Sequence, residues 1–174
     1  MDSVIAGELH IHAHAHNDYE HERPLFDALK NQFYSVEADI WLVNSEIMVS
    51  HDQGNYKGSL KELYLDPLQA QVNEKGSVHG DGKPFYLWID IKDSRAELRP
   101  VLHHLLEQYA MLSVFTQSEV KENPVTVILT GDRKSKEAFI QEYPVSHACR
   151  DSNTYSPDDP PAKYQMALVC GELA

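Results

Sequence analysis

The sequence lacks an apolar run long enough to span a bilayer, so no transmembrane segment is expected. Its N-terminus, MDSVIAGELHIH, has neither a basic segment nor a sustained apolar segment, and so no signal peptide is visible. These absences predict a cytoplasmic protein, or a secreted or periplasmic one if the N-terminus has been trimmed.

Cysteine and positive charge are both scarce. Cys149 and Cys170 lie in separate late segments without the spacing of a metal site, and we interpret them as buried thiols in a reducing compartment, with a disulfide as the alternative. The formal net charge of −12 argues against nucleic acid or an anionic membrane surface as the main partner. An anionic substrate would need local help from a metal, lysine, arginine or protonated histidine.

Strand and helix patterns alternate along the 174 residues, which are enough for one domain with a core. Strands are predicted at 8–15, 34–52 (a strand, a turn and a short second strand), 85–92, 125–131, 145–150 and 166–171. Helices are predicted to open at Pro24, Ser59 and Ser94 and to cover 134–143. Alternation of this kind favours parallel strands joined by crossover helices.

The expected fold is therefore an α/β protein of TIM-type barrel architecture. The pattern predicts about six strands once the short arm at 47–50 is set aside, whereas a complete barrel has eight strands in ~250 residues. We expect a single barrel domain over residues 1–174 with its C-terminal strands missing. Such a barrel would expose an open edge, through which self-association is possible.

The stretch YSVEADIWLVNSEIMVSHD, residues 34–52, is central to the prediction. Alternation with a period of two places Glu37 and Asp39 on the same face of one strand. Two neighbouring carboxylates repel each other, so the pair indicates either a bound cation or a solvated edge strand. Because apolar residues surround the pair, we favour the cation.

Further polar residues lie near the ends of other predicted strands, where the carboxyl ends of barrel strands converge on one face. They are His14, His16, His51, Asp52, Asp90 and Lys92. Three acidic side chains without a thiolate suit Mg²⁺ or Ca²⁺ better than zinc. Two histidines can share general acid and base roles, and a lysine can hold a phosphate oxygen.

Three of these residues also have a purely structural interpretation. Asp90 is placed to cap the helix at Ser94, Lys92 to be a solvated strand end, and Asp52 to orient His51 or to cap a turn. The combination, rather than any single member, carries the functional prediction.

The order of these residues resembles the glycerophosphodiester phosphodiesterase family: His16, Pro24 eight positions on, Glu37-x-Asp39, and the His51-Asp52 pair. The wording HAHNDYEHERPL, SVEADIWLV, VSHD and LWIDIK resembles more closely a bacterial and fungal branch described as phosphatidylinositol-specific phospholipase C-like phosphodiesterases. The resemblance runs from about His14 to Gly131, and more loosely to Gly171.

This resemblance implies a TIM-barrel phosphodiesterase that uses one divalent cation, Mg²⁺ or Ca²⁺. It implies that His16 and His51 form the acid/base pair and that Glu37, Asp39 and Asp90 hold the cation. The sphingomyelinase D-like relatives place an Asp-x-Lys on the third strand, which is matched by Asp90 and Lys92.

The sequence also departs from the family pattern. Asn17 replaces the arginine that follows the first histidine, so Arg23 and Lys92, together with Asn17 itself, become the candidates for binding the substrate phosphate. Asp90 stands where typical members have glutamate, and Leu25-Phe26-Asp27 replaces Glu-Asn-Thr after the proline.

The predicted function is metal-dependent cleavage of a glycerophosphodiester or of a phospholipid head-group phosphodiester, by attack of water or of a neighbouring substrate hydroxyl. One alternative starts from His12-x-His14 or His14-x-His16 and is a histidine-rich metallohydrolase of the amidohydrolase or polymerase-and-histidinol-phosphatase type. The other is an inactive or truncated barrel that serves as a binding or scaffold protein.

Overall fold

The computed structural model describes residues 13–152. The predicted strand at 166–171 and the first part of the predicted strand at 8–15 lie outside these residues, as do His12 and Cys170.

The described chain alternates strands with helices, as the sequence pattern predicts. The strands are β1 (His14–Ala15), β2 (Ser35–Val43), β3 (Glu46–Val49), β4 (Gly58–Ser59), β5 (Phe85–Ile91), β6 (Val114–Phe115), β7 (Val120–Lys121), β8 (Val125–Gly131) and β9 (Cys149–Arg150). The helices are α1 (Phe26–Lys30), α2 (Asp66–Lys75), α3 (Leu98–Leu106) and α4 (Arg133–Glu142), with a 3₁₀ turn at Asp18–Glu20 and a π-helical turn at Lys61–Leu65.

Seven of the strands form one mixed sheet in the order β4-β3-β2-β5-β8-β9, and β1 pairs with the start of β2. The strands β1, β2, β5, β8 and β9 are parallel, and they neighbour one another in the order in which the chain makes them. A TIM-type barrel has this consecutive order, whereas a doubly wound sheet reverses it. The barrel itself, and the boundaries of its single domain, stay predictions.

The sheet is buried on both faces, which explains why β8 is apolar almost throughout. On one face, alternate strand residues pack against the helices in the main core; they are Val36, Ala38, Ile40, Leu87, Ile89, Ile91, Val125, Val127 and Leu129. On the other face, Phe115, Ile128 and Cys149 form a smaller apolar cluster with Tyr86 and Trp88. Asp39, Asp90 and Thr130 lie on this second face.

The hairpin between β2 and β3 confirms the predicted turn. Asn44 and Ser45 both have positive φ, 49° and 65°, as a two-residue turn between twisted antiparallel strands requires. The turn returns β3 along the last residues of β2, with Ile40 paired to Val49.

Two predicted helix starts were wrong. The first helix begins at Phe26 rather than Pro24, because Leu25 takes a φ of 63° and donates its N–H to Asp18 Oδ2 at 2.5 Å. The helix predicted from Ser94 begins at Leu98 without a side-chain cap, so Asp90 does not cap a helix at Ser94. Pro100 lies in the first turn of α3, where a proline costs no helical hydrogen bond.

Two predictions around β8 were also incomplete. The strand predicted at 145–150 is reduced to Cys149–Arg150. The sequence pattern did not indicate the small hairpin of β6 and β7, whose Phe115 exchanges backbone hydrogen bonds with Ser146.

Candidate active site

Three carboxylates meet where the middle of β2 lies beside the carboxyl end of β5. Asp39 and Asp90 are partners in the parallel register of these strands, and Glu37 lies two residues before Asp39 on the same face. One oxygen from each of Glu37, Asp39 and Asp90 lies within 4.8 Å of the others. Glu37 is 7% exposed and Asp39 only 1%, so this is not a solvated edge strand.

The oxygens of this carboxylate cluster are poorly satisfied by the protein. Among residues 13–152, three oxygens of the cluster lack a hydrogen-bond partner of good geometry. They are both carboxylate oxygens of Asp39 and Oδ1 of Asp90. Buried polar atoms normally have partners, because leaving them unpaired costs about 1–3 kcal/mol each. The cluster therefore has the composition and the unused acceptors of a site for a hard cation.

Lys92 is the positive charge closest to these acids. Its Nζ lies 2.9 Å from Asp90 Oδ2 and 3.2 Å from Asp39 Oδ2. Burial opposes its charge, but the contacts with the two carboxylates outweigh this cost and hold the pKa of Lys92 above its ordinary value. Lys92 is thus not a solvated strand end.

Glu37 joins the cluster to the first strand. His16 Nε2 lies 3.2 Å from Glu37 Oε2, and the backbone N–H of Asn17 donates to the same oxygen at 3.2 Å. Burial raises the pKa of Glu37 above its ordinary value, although the Asn17 N–H and His16 both oppose this shift. Asn17 has a φ of 50°, and its side-chain oxygen accepts a hydrogen bond from the Tyr19 hydroxyl at 3.0 Å.

The other predicted residues take different positions. His51 directly follows Ser50, whose N–H donates to the Asp39 carbonyl, and the His51 ring lies 3.1 Å from Asp52 Oδ1. His51 is therefore one residue beyond the backbone contact with Asp39, and its Nδ1 is directed to Asp52 as the sequence interpretation expected.

Arg23 and His14 are engaged outside the cluster. The Arg23 guanidinium bonds to Asp27 Oδ1 at 2.7 and 3.0 Å, so it is held against α1 rather than at the carboxylates. His14 bonds to Ser35 Oγ at 2.8 Å and lies edge-on to Trp88. Burial, with a contribution from His16, lowers the pKa of His14.

Sequence reasoning missed a buried carboxylate that shapes the loop carrying His16 and Asn17. Asp18 is fully buried, and its Oδ2 accepts hydrogen bonds from the Leu25 N–H and from the Tyr64 hydroxyl at 2.9 Å. Burial raises the pKa of Asp18. Tyr64 lies 46 residues away, so local sequence gives no signal for this contact.

Gly131, at the end of β8, is a second missed residue. It has a φ of 82°, and a Cβ added there would lie 2.0 Å from Asp90 Oδ1 and 2.7 Å from the backbone of Ile91. Only glycine permits this approach of β8 to the carboxylate cluster. The glycine that ends the predicted strand VTVILTG was the available signal.

Parallel strands in chain order, with a cluster of three carboxylates on one face, define an α/β protein with an acidic candidate site. The comparison with known families is more specific: the AIM6-like phosphodiesterase domain matches residues 2–143, and the chain belongs to that family. Membership identifies the domain as phosphodiesterase-like. The wider glycerophosphodiesterase and phospholipase C-like assignment stays a prediction.

Several fungal proteins named Altered inheritance of mitochondria protein 6 are similar to the chain. The one from Lachancea thermotolerans is 36% identical, over 68% of this chain and 33% of that protein. The one from Kluyveromyces lactis is 30% identical, over 82% of this chain and 42% of its own length. A homolog from Arthroderma benhamiae is 30% identical, over 74% and 49%.

The chain thus spans about a third to a half of the length of the curated relatives it matches. Their shared name states no reaction and no location. No solved structure matches the chain. Within residues 13–152, none of the helices has the length and apolar character needed to cross a membrane.

Proposed function

We propose that this domain is a metal-dependent phosphodiesterase that cleaves a glycerophosphodiester or a phospholipid head-group phosphodiester. The observation that carries the proposal is the cluster of Glu37, Asp39 and Asp90, whose three acidic side chains have Lys92 as their nearest lysine or arginine and which retains buried acceptor oxygens on Asp39 and Asp90. Membership of the AIM6-like phosphodiesterase domain family supports the reaction class.

The electrostatics of the cluster favour a divalent cation. Three carboxylates face one ammonium, that of Lys92, and buried charge without compensation is strongly unfavourable. All three acidic side chains offer oxygen, and so Mg²⁺ or Ca²⁺ fits the ligand set. When bound, the cation would supply Lewis-acid stabilisation of charge on a non-bridging phosphate oxygen.

The neighbouring side chains are suited to proton transfer. His16 lies against Glu37, and His51 has Nδ1 directed to Asp52, which leaves its Nε2 available. In the proposed reaction one histidine accepts the proton of the attacking water or substrate hydroxyl, and the other protonates the leaving oxygen. Lys92, which contacts Asp39 and Asp90, is a candidate for holding a phosphate oxygen, and so is Asn17, whose backbone N–H donates to Glu37. The engagement of Arg23 by Asp27 makes it the weakest of the three phosphate-binding candidates.

The carboxylate composition also weighs against the histidine-rich alternative. In the part of the chain that the structure describes, one group of side chains could hold a metal ion, and it contains no histidine. His14, a member of the proposed histidine pair, is instead bound to Ser35.

Calorimetry of Mg²⁺ and Ca²⁺ binding tests the proposal, with Glu37→Gln as the site variant and Glu46→Gln, an exposed residue on β3, as the control. We expect one binding site in the wild type and in the control, and none in Glu37→Gln. Cation-dependent hydrolysis of bis(4-nitrophenyl) phosphate should follow the same order. A folded wild-type protein that binds neither cation would contradict the proposal and favour a scaffold role.

Self-association through a sheet edge is a separate part of the proposal. In the described range, β9 pairs with β8 and has no strand on its other side. Sedimentation velocity over a hundredfold range of concentration should show an increasing mass if this edge pairs between copies. A constant monomer mass would contradict it.

A further inference from the structure

The row of strand-end residues that contains Asp39 and Asp90 continues across the sheet. Asp90 is the register partner of Thr130 on β8, and Thr130 lies beside Asp151, the residue that follows β9. The Thr130 hydroxyl donates a hydrogen bond to Asp151 Oδ2 at 2.9 Å. Because neighbouring strands lie about 5 Å apart, Thr130 lies about one strand spacing from Asp90 on the same face.

Asp151 is held in place by a buried lysine. The ammonium of Lys136, from the first turn of α4, hydrogen-bonds to Asp151 Oδ1, and Lys136 is only 2% exposed. The Asp151 N–H also donates to the Leu129 carbonyl at 3.0 Å. Lysine is almost never fully buried unless it is paired, so the ion pair with Lys136 fixes the position of Asp151.

The chemistry of this pair selects the kind of group that can bind. The Thr130 hydroxyl already donates its one hydrogen bond to Asp151. The Thr130 oxygen and the remaining lone pairs of Asp151 can therefore only accept hydrogen bonds. Both side chains are partly exposed. A ligand here must therefore donate. Since Lys136 balances the charge of Asp151, the pair offers a cation no net attraction, which favours a neutral hydroxyl over an ammonium group.

We propose that Thr130 and Asp151 form a subsite for the hydroxyl groups of the alcohol part of the substrate, as found in glycerol or another polyol. The inference rests on the proposed function, which puts the phosphate at the carboxylate cluster. The alcohol of a phosphodiester bound there extends over a distance comparable to one strand spacing, and so its hydroxyls reach the subsite. Lys136 is a positioning residue that acts through Asp151.

Two synthetic substrates that differ only in their hydroxyls test the subsite: 2,3-dihydroxypropyl 4-nitrophenyl phosphate and propyl 4-nitrophenyl phosphate. The measured quantity is the ratio of their kcat/KM values. Thr130→Val should lower this ratio roughly fivefold, the effect of one lost hydrogen bond, and Thr130→Ser should restore it.

Thr126→Val is the matched control. Thr126 is a buried residue on the same strand, and its hydroxyl bonds to Ser113 at 3.0 Å. Removing this hydroxyl tests the effect of lower protein stability while the subsite stays unchanged. The control should keep the wild-type ratio. An unchanged ratio in Thr130→Val would overturn the inference. A third substrate, 2-aminoethyl 4-nitrophenyl phosphate, carries an ammonium group in place of the hydroxyls. A higher kcat/KM of the wild-type protein for this ester than for the dihydroxypropyl ester would also overturn the inference.

A binding measurement separates failure of the subsite from failure of the reaction. Glycerol 1-phosphate added with Mg²⁺ should shift the backbone amide NMR signals of Thr130 and Asp151 further than propyl phosphate does. If the protein shows these larger shifts but hydrolyses neither ester, the subsite is supported and the proposed reaction is refuted. Hydrolysis without the larger shifts would retain the reaction and refute the subsite.

Discussion

Asp39 and Asp90 lie at partner positions of the parallel strands β2 and β5, and the ammonium of Lys92 contacts both carboxylates. Backbone pairing, rather than a loop, therefore fixes their separation. Sites built on strands hold their geometry more tightly than sites built on loops.

Replacing Lys92 tests how this arrangement balances charge. Lys92→Met should tighten Mg²⁺ binding at least several-fold, because it removes a positive charge beside two of the carboxylates. The same variant should raise KM for a phosphodiester if Lys92 holds a phosphate oxygen. Calorimetry and steady-state kinetics measure the two effects. Weaker cation binding in a folded Lys92→Met protein would contradict this account.

Gly131→Ala should disturb the carboxylate cluster through backbone geometry alone. A non-glycine residue at positive φ costs about 1–2 kcal/mol, and the added Cβ would also lie 2.0 Å from Asp90 Oδ1. We expect a lower melting temperature and a loss of the stabilisation by Mg²⁺, both measured by thermal denaturation. Gly82→Ala is the control, since Gly82 has a φ of 75° but no atom within 4 Å of an added Cβ. Equal effects of the two variants would show that crowding at Asp90 is unimportant.

The two histidines should affect the reaction rather than the cation. His16→Ala and His51→Ala should each lower kcat by roughly 10²- to 10⁴-fold, the range for general acid or base catalysis. Mg²⁺ affinity should change little by comparison, as measured by calorimetry. His104→Ala, on the exposed side of α3, is the control and should keep full activity. A variant that loses cation binding and activity together would assign that histidine to the cation instead.

Asp93 should make stability depend on acid pH. The Arg95 guanidinium, at 2.9 Å, holds the pKa of Asp93 below its ordinary value of 3.8, and the Leu42 N–H contributes at 3.1 Å. Because the pKa is lower in the folded state, this stabilisation is complete above pH 3.8 and is lost as the pH falls through the folded value.

The corresponding variant is Asp93→Asn. It should lower the free energy of unfolding by about 2 kcal/mol at pH 7, the contribution of hydrogen bonds to a charged group, and by progressively less as the pH falls below 3.8. Urea denaturation over a series of pH values measures this trend, with Glu74→Gln, exposed on α2, as the control. A loss of stability independent of pH would assign the role of Asp93 to packing.

The sequence was sufficient to predict the carboxylate cluster because period-two alternation fixes which strand residues share a face. Glu37 and Asp39 follow from that rule, and Asp90 follows from the parallel order of consecutive strands. The positive-φ turn at Asn44-Ser45 was predictable for a similarly local reason, since two residues must reverse the chain.

Contacts between distant segments were not predictable in this way. Leu25 leaves the helical conformation because its N–H donates to Asp18, which also accepts a hydrogen bond from Tyr64. These contacts override the tendency of Pro24 to begin a helix. Thr130 and Asp151 are 21 residues apart and meet only because β8 and β9 pair. Single residues of this kind carry no periodic signal in one sequence.

The consecutive order of the parallel strands gives the candidate site a modular construction. The carboxylate cluster comes from the second and third parallel strands, whereas the proposed hydroxyl subsite comes from the fourth and fifth. Chain segments that contribute separately to one surface can diverge separately. A relative could therefore acquire a new alcohol preference through changes between residues 125 and 151 while inheriting its chemical step intact, and exchange of that segment between relatives offers a direct route to altered substrate choice.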